Sequence, residues 1–317
     1  MRRRLRELGY AVGRFPTGGL NALVDVPGVR VGHRTLVEGD RLRTGVTAIL
    51  PHDGNLYEDK VLGGCHVVNG YGKATGLTQL VELGTIESPL LLTNTLSVGP
   101  VWEGGLRHLL ELNPGVAVGA GTGTTCFGFK SGVGTSSRSL DGHVLGCLVV
   151  SNYGARRDLQ MLIGPDSELP EAGAEPPAQG GSIMIIVATD APLSERQLGR
   201  LAARGTFGLA RAGSFATNSS GEYVISFSTA QTVPHRMDRD HDEFTFLRDD
   251  SLALRNLFEA AGDVVQESIL NSLCSADAME GRDGNRAEAF PYELLERTGL
   301  PRSGPGHGEG PPEGPLA

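Results

Sequence analysis

The alternation of apolar and polar positions divides this chain into short strands and a few helices. The stretch "ALVDVPGVRVGHRTL" (Ala22 to Leu36) alternates around a Pro-Gly turn and reads as a strand pair. Thr44 to Pro51 reads as another strand, Leu77 to Leu83 as a short helix, and Ser88 to Gly99 as a buried strand followed by a turn. Trp102 to Leu112 has helical apolar spacing, and His143 to Gly154 is a buried-type strand ending at a turn. Ser182 to Thr189 is a continuous apolar run, as a strand covered on both faces requires. Ser194 then reads as an N-cap with Gln197 completing a capping box, so a helix begins near Glu195. Its apolar face carries Leu198, Leu201, Ala202 and Leu209, and Gly213 is its C-terminal stop. Glu222 to Thr229 is the next strand, and Ser251 to Met279 has strong helical periodicity. The arm up to Gly19, the loop Ala174 to Gly181 and the acidic stretch His235 to Phe244 read as weakly structured or solvated. The Pro/Gly-rich tail, residues 301–317, is expected to be disordered, leaving residues 1–300 as one domain.

Composition narrows the class. Of 317 residues, 39% are hydrophobic and 21% charged, enough for a sizeable core. With 28 Lys+Arg against 37 Asp+Glu the net charge is −9, which argues against a sequence-independent nucleic-acid binder. No apolar run reaches the roughly 18–20 residues that a membrane-spanning helix needs. The basic start, Met1 to Arg6, is not followed by an apolar stretch and does not read as a secretory signal. Cys65, Cys126, Cys147 and Cys274 contain no CxxC pair and fit reduced thiols in a cytoplasm. Glycine, at 46 residues, clusters between Gly115 and Gly134, where backbone must turn tightly or approach something closely.

Most candidate chemistry has a plain alternative. "GAGTGTTCFGFKSG" contains glycines and Lys130 but not the spacing of a phosphate-binding P-loop, and reads as a tight loop between strands. His235 and His241 lie among acidic residues at spacings that match no metal motif, so no metal and no cofactor is expected. There is no GxSxG elbow, and Cys126 and Cys147 read as core thiols. Gly213-Ser214 remains. A small residue followed by a hydroxyl at a helix-to-strand junction is what self-cleavage through an N→O acyl shift needs. The new N-terminal serine would then hold both a nucleophile and an α-amino base of pKa about 7.7–8.0. Gly-Ser is also a common loop dipeptide, and the residues alone leave that reading open.

Several ordered stretches carry a resemblance. They are "NALVDVPGVRVGH" (Asn21 to His33), Val67 to Gly99, "GFKSGVGTSSR" (Gly128 to Arg138), "IIVATDAPL" (Ile185 to Leu193), "LARAGS" (Leu209 to Ser214) and Glu267 to Gly284. Together they resemble the family of L-aminopeptidase/D-Ala-esterase/amidase and the β-peptidyl aminopeptidases. The resemblance implies an α/β fold, a four-layered αββα sandwich like that of N-terminal-nucleophile hydrolases but connected differently. It implies self-cleavage between Gly213 and Ser214 into residues 1–213 and 214–317, Ser214 as nucleophile, and a homotetramer of processed units. It also implies an asparagine amide for the oxyanion, for which Asn152 in "SNYG" is the candidate; a turn-forming Asn is the alternative. A family tyrosine near the site is matched by Phe127, so its hydrogen bond is either absent or supplied by Tyr153. Both residues are candidates for substrate binding. A Ser-x-Glu pair placed on the helix before "ILN" reads here as Val264 and Gln266, with Glu267 beside them as the candidate acid for the substrate ammonium. The family's "GSGD" reads "SSGE" here (Ser219 to Glu222).

The leading expectation is therefore an amide hydrolase that removes N-terminal residues from small peptides, amides or esters, with no nucleic-acid or membrane partner. A non-catalytic, unprocessed scaffold of the same fold, or an acyltransferase using the same acyl-enzyme, stands as the alternative.

Overall fold

The computed structural model describes residues 2–40, 42–111, 123–164, 181–217, 220–234, 241–281 and 284–302. The loop 174–180, His235 to Asp240, Ser219 and the tail 303–317, about which the sequence raised expectations, lie outside the described residues.

The strands are β1 (Arg30–Glu38), β2 (Leu42–Leu50), β3 (Asp59–Gly70), β4 (Thr85–Ile86), β5 (Leu90–Thr93), β6 (Thr125–Cys126), β7 (Phe129–Lys130), β8 (Val133–Leu140), β9 (His143–Asn152), β10 (Ser182–Thr189), β11 (Gly221–Pro234), β12 (Met279–Glu280) and β13 (Arg286–Ala287). The helices are α1 (Leu77–Leu83), α2 (Val98–Glu111), α3 (Gln160–Ile163), α4 (Glu195–Arg211) and α5 (Leu252–Cys274). Six strands form one sheet in the order β4-β3-β11-β10-β9-β8, and three form a second, β1-β2-β5. Helices α4 and α5 cover one face of the large sheet, α4 over β3 and β11, α5 over β8 and β9. The small sheet packs on the other face through Ile49 and Leu92, which join Val61, Leu148, Ile186 and Phe227 in a second core. Helix α2 rests on β5. The layers are thus helix, sheet, sheet, helix, the expected αββα sandwich.

The crossover that matters joins β10 to β11. These strands are parallel, so the chain must return along the sheet, and α4 makes that return. Ser194 caps α4 through the expected box with Gln197. Gly213, with φ of +85°, ends it: its N–H donates to the Ala210 carbonyl and that of Ser214 to the Leu209 carbonyl, a Schellman stop. Gly213-Ser214 is therefore delivered to the end of the sheet where Asn152, Ser182, Gly221 and Gly70 lie in register.

Three expectations are corrected. Ala22 to Leu36 is not a strand pair: Leu23–Asp25 is a 3-10 turn, and β1 pairs instead with β2. Asp25 accepts from the Leu20 and Ala22 amides, which closes that turn. The N-terminal arm is ordered, with Leu5, Tyr10 and Val12 buried in the main core. Pro301 and Arg302, assigned to the tail, are tied down, since Ala11 donates to the Pro301 carbonyl and Tyr10 bridges Arg302.

Candidate active site

Ser214 follows the helix stop directly and is half-buried. Its Oγ accepts from the Ala216 N–H at 3.2 Å. Ala216 sits at φ +46°, a left-handed conformation that a residue with a Cβ holds only when its surroundings impose it. The Asn69 amide imposes it from the other side, donating to the Thr217 carbonyl at 2.6 Å and to the Ala216 carbonyl at 3.4 Å.

Behind the Gly213-Ser214 bond lie two aromatic rings. The Tyr153 hydroxyl donates to the Ala212 carbonyl at 2.9 Å, so Tyr153 supplies a hydrogen bond that Phe127 cannot. Phe127 stands edge-on to Tyr153, with ring centres 5.5 Å apart, and donates its N–H to the Tyr153 carbonyl. A Cβ on Gly213 would meet Phe127 Cζ at 3.0 Å and the Asp158 carbonyl oxygen at 3.1 Å, so glycine is required there both by φ and by space. Both rings are buried. The structure thus places Phe127 and Tyr153, the candidates for substrate binding, packed behind the Gly213-Ser214 segment. Burial pushes the Tyr153 hydroxyl well above its usual pKa, with the thiol Cys126 and the carboxylate of Glu222 adding to the shift.

Glu222 is the group that sequence reasoning missed. It is fully buried, accepts from the Ser220 hydroxyl on Oε1, and its Oε2 has no hydrogen-bond donor among the described residues. Burial raises its pKa, and the Ser220 hydrogen bond opposes that only in part. It shares a row of the sheet with Ser151, Ile183 and Asn69, on the face covered by α5, where Ser151 bonds Ser272. Ser220-Gly221-Glu222 is itself a Ser-x-Glu pair six residues beyond the nucleophile, on β11 and not on a helix. That spacing was visible in the chain and was the available signal.

Asn152 ends β9 in the adjoining row, so alternation starts its side chain from the opposite face to Glu222. Its Oδ1 accepts from the Thr125 N–H at 3.1 Å, which fixes the amide orientation and leaves Nδ2 as an outward donor. No hydrogen bond joins Asn152 to Ser214 among the described residues.

Glu267 does not join this cluster. Its carboxylate is 0% exposed and binds Arg6 at 2.8 and 3.1 Å, Arg138 at 2.6 Å and the Asn21 amide at 2.6 Å. Burial alone would raise its pKa, but Arg138 and Arg6, with the hydrogen bonds from Arg6 and Asn21, together outweigh that and hold it below the usual carboxylate value. Both its oxygens are spent on docking the N-terminal arm against α5 and β8. Among the described residues no His, Cys, Asp and Glu side chains group as a metal site would require, and no helix is long and apolar enough to cross a membrane.

The same fold recurs in known proteins. The model of peptidase family S58 matches residues 21–117 and 111–287. The chain belongs to peptidase family S58. Relatives within reach of the family include a protein described as beta-peptidyl aminopeptidase BapA of Sphingosinicella microcystinivorans, 32% identical over 92% of this chain and 90% of that one. Among solved structures, the PH0078 protein of Pyrococcus horikoshii OT3 is 38% identical with a TM-score of 0.82, covering 93% of this chain and 98% of that one. A Burkholderia sp. beta-aminopeptidase is 31% identical with a TM-score of 0.79, over 94% and 100%. The L-aminopeptidase D-Ala-esterase/amidase of Ochrobactrum anthropi, described as a variant of the Ntn hydrolase fold, is 27% identical with a TM-score of 0.80, over 93% and 97%. The four-layered αββα sandwich that the resemblance implied is therefore the fold of this chain.

Proposed function

We propose that this S58 peptidase is an aminopeptidase that cuts its own chain between Gly213 and Ser214 and then uses Ser214 to release N-terminal residues from small peptides, amides or esters. The observation that carries the reading is the stop of α4. It presents a left-handed glycine against two buried rings, with its preceding carbonyl held by Tyr153 and a hydroxyl as the next side chain. The names of the relatives point the same way.

In the first reaction Ser214 Oγ adds to the Gly213 carbonyl carbon, the C–N bond breaks, and the nitrogen takes the hydroxyl proton. The resulting ester is hydrolysed by water to the Gly213 carboxylate and a free Ser214 hydroxyl. In turnover the Ser214 α-amine takes the Oγ proton as Oγ attacks the substrate carbonyl, and passes it to the leaving amine. Water resolves the acyl-enzyme by the same amine. Glu222, buried and with no donor to Oε2 among the described residues, faces the substrate ammonium in this scheme, a role the sequence reading gave to Glu267. Asn152 Nδ2 is the candidate oxyanion donor. Processed units assemble as tetramers in a cytoplasm, residues 1–300 acting as one domain.

A panel of L-, D- and β-aminoacyl p-nitroanilides tests the reading. The wild type should release p-nitroaniline from at least one series and Ser214→Ala from none. Equal hydrolysis by both proteins would remove Ser214 from the mechanism.

A further inference from the structure

We infer that Asn69 is a positioning residue for Ser214, holding the strained turn 214–217 so that Oγ stays aimed before and after the chain is cut. This rests on the proposed cleavage at Gly213-Ser214. The argument starts from the strain. A left-handed alanine lies above a right-handed one in energy, so the turn would relax unless its groups were tied. Ala216 is tied at both ends: its N–H to Ser214 Oγ, its carbonyl and that of Thr217 to the Asn69 amide. The Phe215 ring beside it is largely exposed.

The tie to Ser214 matters most once the chain is cut. In the continuous chain the Schellman bond from the Ser214 N–H to the Leu209 carbonyl helps to place residue 214. Cleavage frees Ser214 from Gly213, and the new terminus would fray as chain ends do. The Asn69 bonds lie on the other side of the cut and survive it. Asn69 belongs to β3, where it is paired with Glu222, so the strand that carries the clamp also adjoins the buried carboxylate. The sheet thereby references the nucleophile and the acid to one pair of residues.

The test compares Asn69→Ala and Asn69→Asp with the wild type, and adds Ala216→Gly to each. Asn69→Asp keeps the shape but places acceptors against two carbonyls. The reading of the cleavage itself is checked first, on the wild type alone: an uncut wild type overturns that reading and this one with it, whereas a cut wild type leaves only this one at stake. With a cut wild type, both Asn69 variants should process at least about tenfold more slowly, the loss expected from two hydrogen bonds. Once processed, they should show kcat lowered about tenfold with KM little changed. Glycine adopts φ +46° without strain, so Ala216→Gly should restore most of the lost kcat in the Asn69→Ala background while the melting temperature stays put. If Asn69→Ala does not fold, the Asn69→Asp pair is read in the same way. Normal processing and kcat in either Asn69 variant, or a kcat loss that follows the melting temperature and is not recovered by Ala216→Gly, would overturn the assignment.

Discussion

Replacing Glu267 by glutamine separates a structural anion from a substrate-binding one. Glutamine has nearly the same shape but no charge, so Arg6 and Arg138 would face each other across a neutral amide. Arg138 is 0% exposed and the Arg6 side chain 12%, so neither cation can recover its hydration by a small movement. Breaking a buried ion pair by removing one member destabilises by about 3–5 kcal/mol. At roughly 2 °C per kcal/mol for a chain of this size, the melting temperature at pH 7 should fall by roughly 6–10 °C. The pH dependence has a definite sign. The folded-state pKa of Glu267 is depressed, so its contribution is full above the unfolded value of 4.5 and is lost as pH falls through the folded value. The gap between wild type and Glu267→Gln should therefore be widest at neutral pH and narrow in acid. Thermal unfolding from pH 3 to 8 reads this directly, and aminoacyl p-nitroanilide kinetics on the same samples read KM. A KM raised tenfold or more with an unchanged melting temperature would return Glu267 to the substrate site and refute the docking role.

Gly213→Ala adds about 1–2 kcal/mol of left-handed strain and a contact with Phe127, so a single uncut chain of lowered stability is expected on a denaturing gel. Tyr153→Phe leaves the Ala212 carbonyl without its donor; a stability loss of about 1–3 kcal/mol in urea and slower appearance of the two fragments are expected. Thiol titration of the denatured, unreduced protein should find Cys65, Cys126, Cys147 and Cys274 all free. In the native protein half-buried Cys65 should react first, because burial pushes Cys147 and Cys274 up to about 12.

What the sequence disclosed and withheld follows one physical rule. Helix α4 and strand β10 were legible because their signals are local: a capping box, a 3.6-residue apolar stripe, an unbroken apolar run. Strands β3 and β8 were not, because glycines interrupt their apolar pattern. Gly64 is a glycine because a Cβ there would stand 2.5 Å from the Gly199 nitrogen of α4, and Gly134 because it would strike the Ser268 carbonyl oxygen of α5. These glycines mark helix resting on strand, a relation that only the folded chain displays. The N-terminal arm looked unstructured for a similar reason, since its anchors, Asn21 and Arg6 on Glu267, are more than two hundred residues away in sequence.

The site divided the same way. Gly213-Ser214 was found from the helix stop and the stretch around it. Glu267 was chosen for its place beside "ILN", but each residue turns a helix by about 100°, and that turn carries Glu267 to Arg138 on β8, while Val265 and Gln266 pack against Gly208 of α4. Glu222 was passed over because it read only as the last residue of "SSGE", a mild change from the family's "GSGD"; its burial could be seen only once the layers were assembled.

The intact mass of the purified wild type, beside that of Ser214→Ala, tests the central claim most directly. The account predicts two fragments from the wild type, the smaller beginning Ser-Phe-Ala-Thr-Asn, and one inactive, folded chain of 33.4 kDa from Ser214→Ala. A wild type that remains one chain yet hydrolyses aminoacyl amides would contradict it.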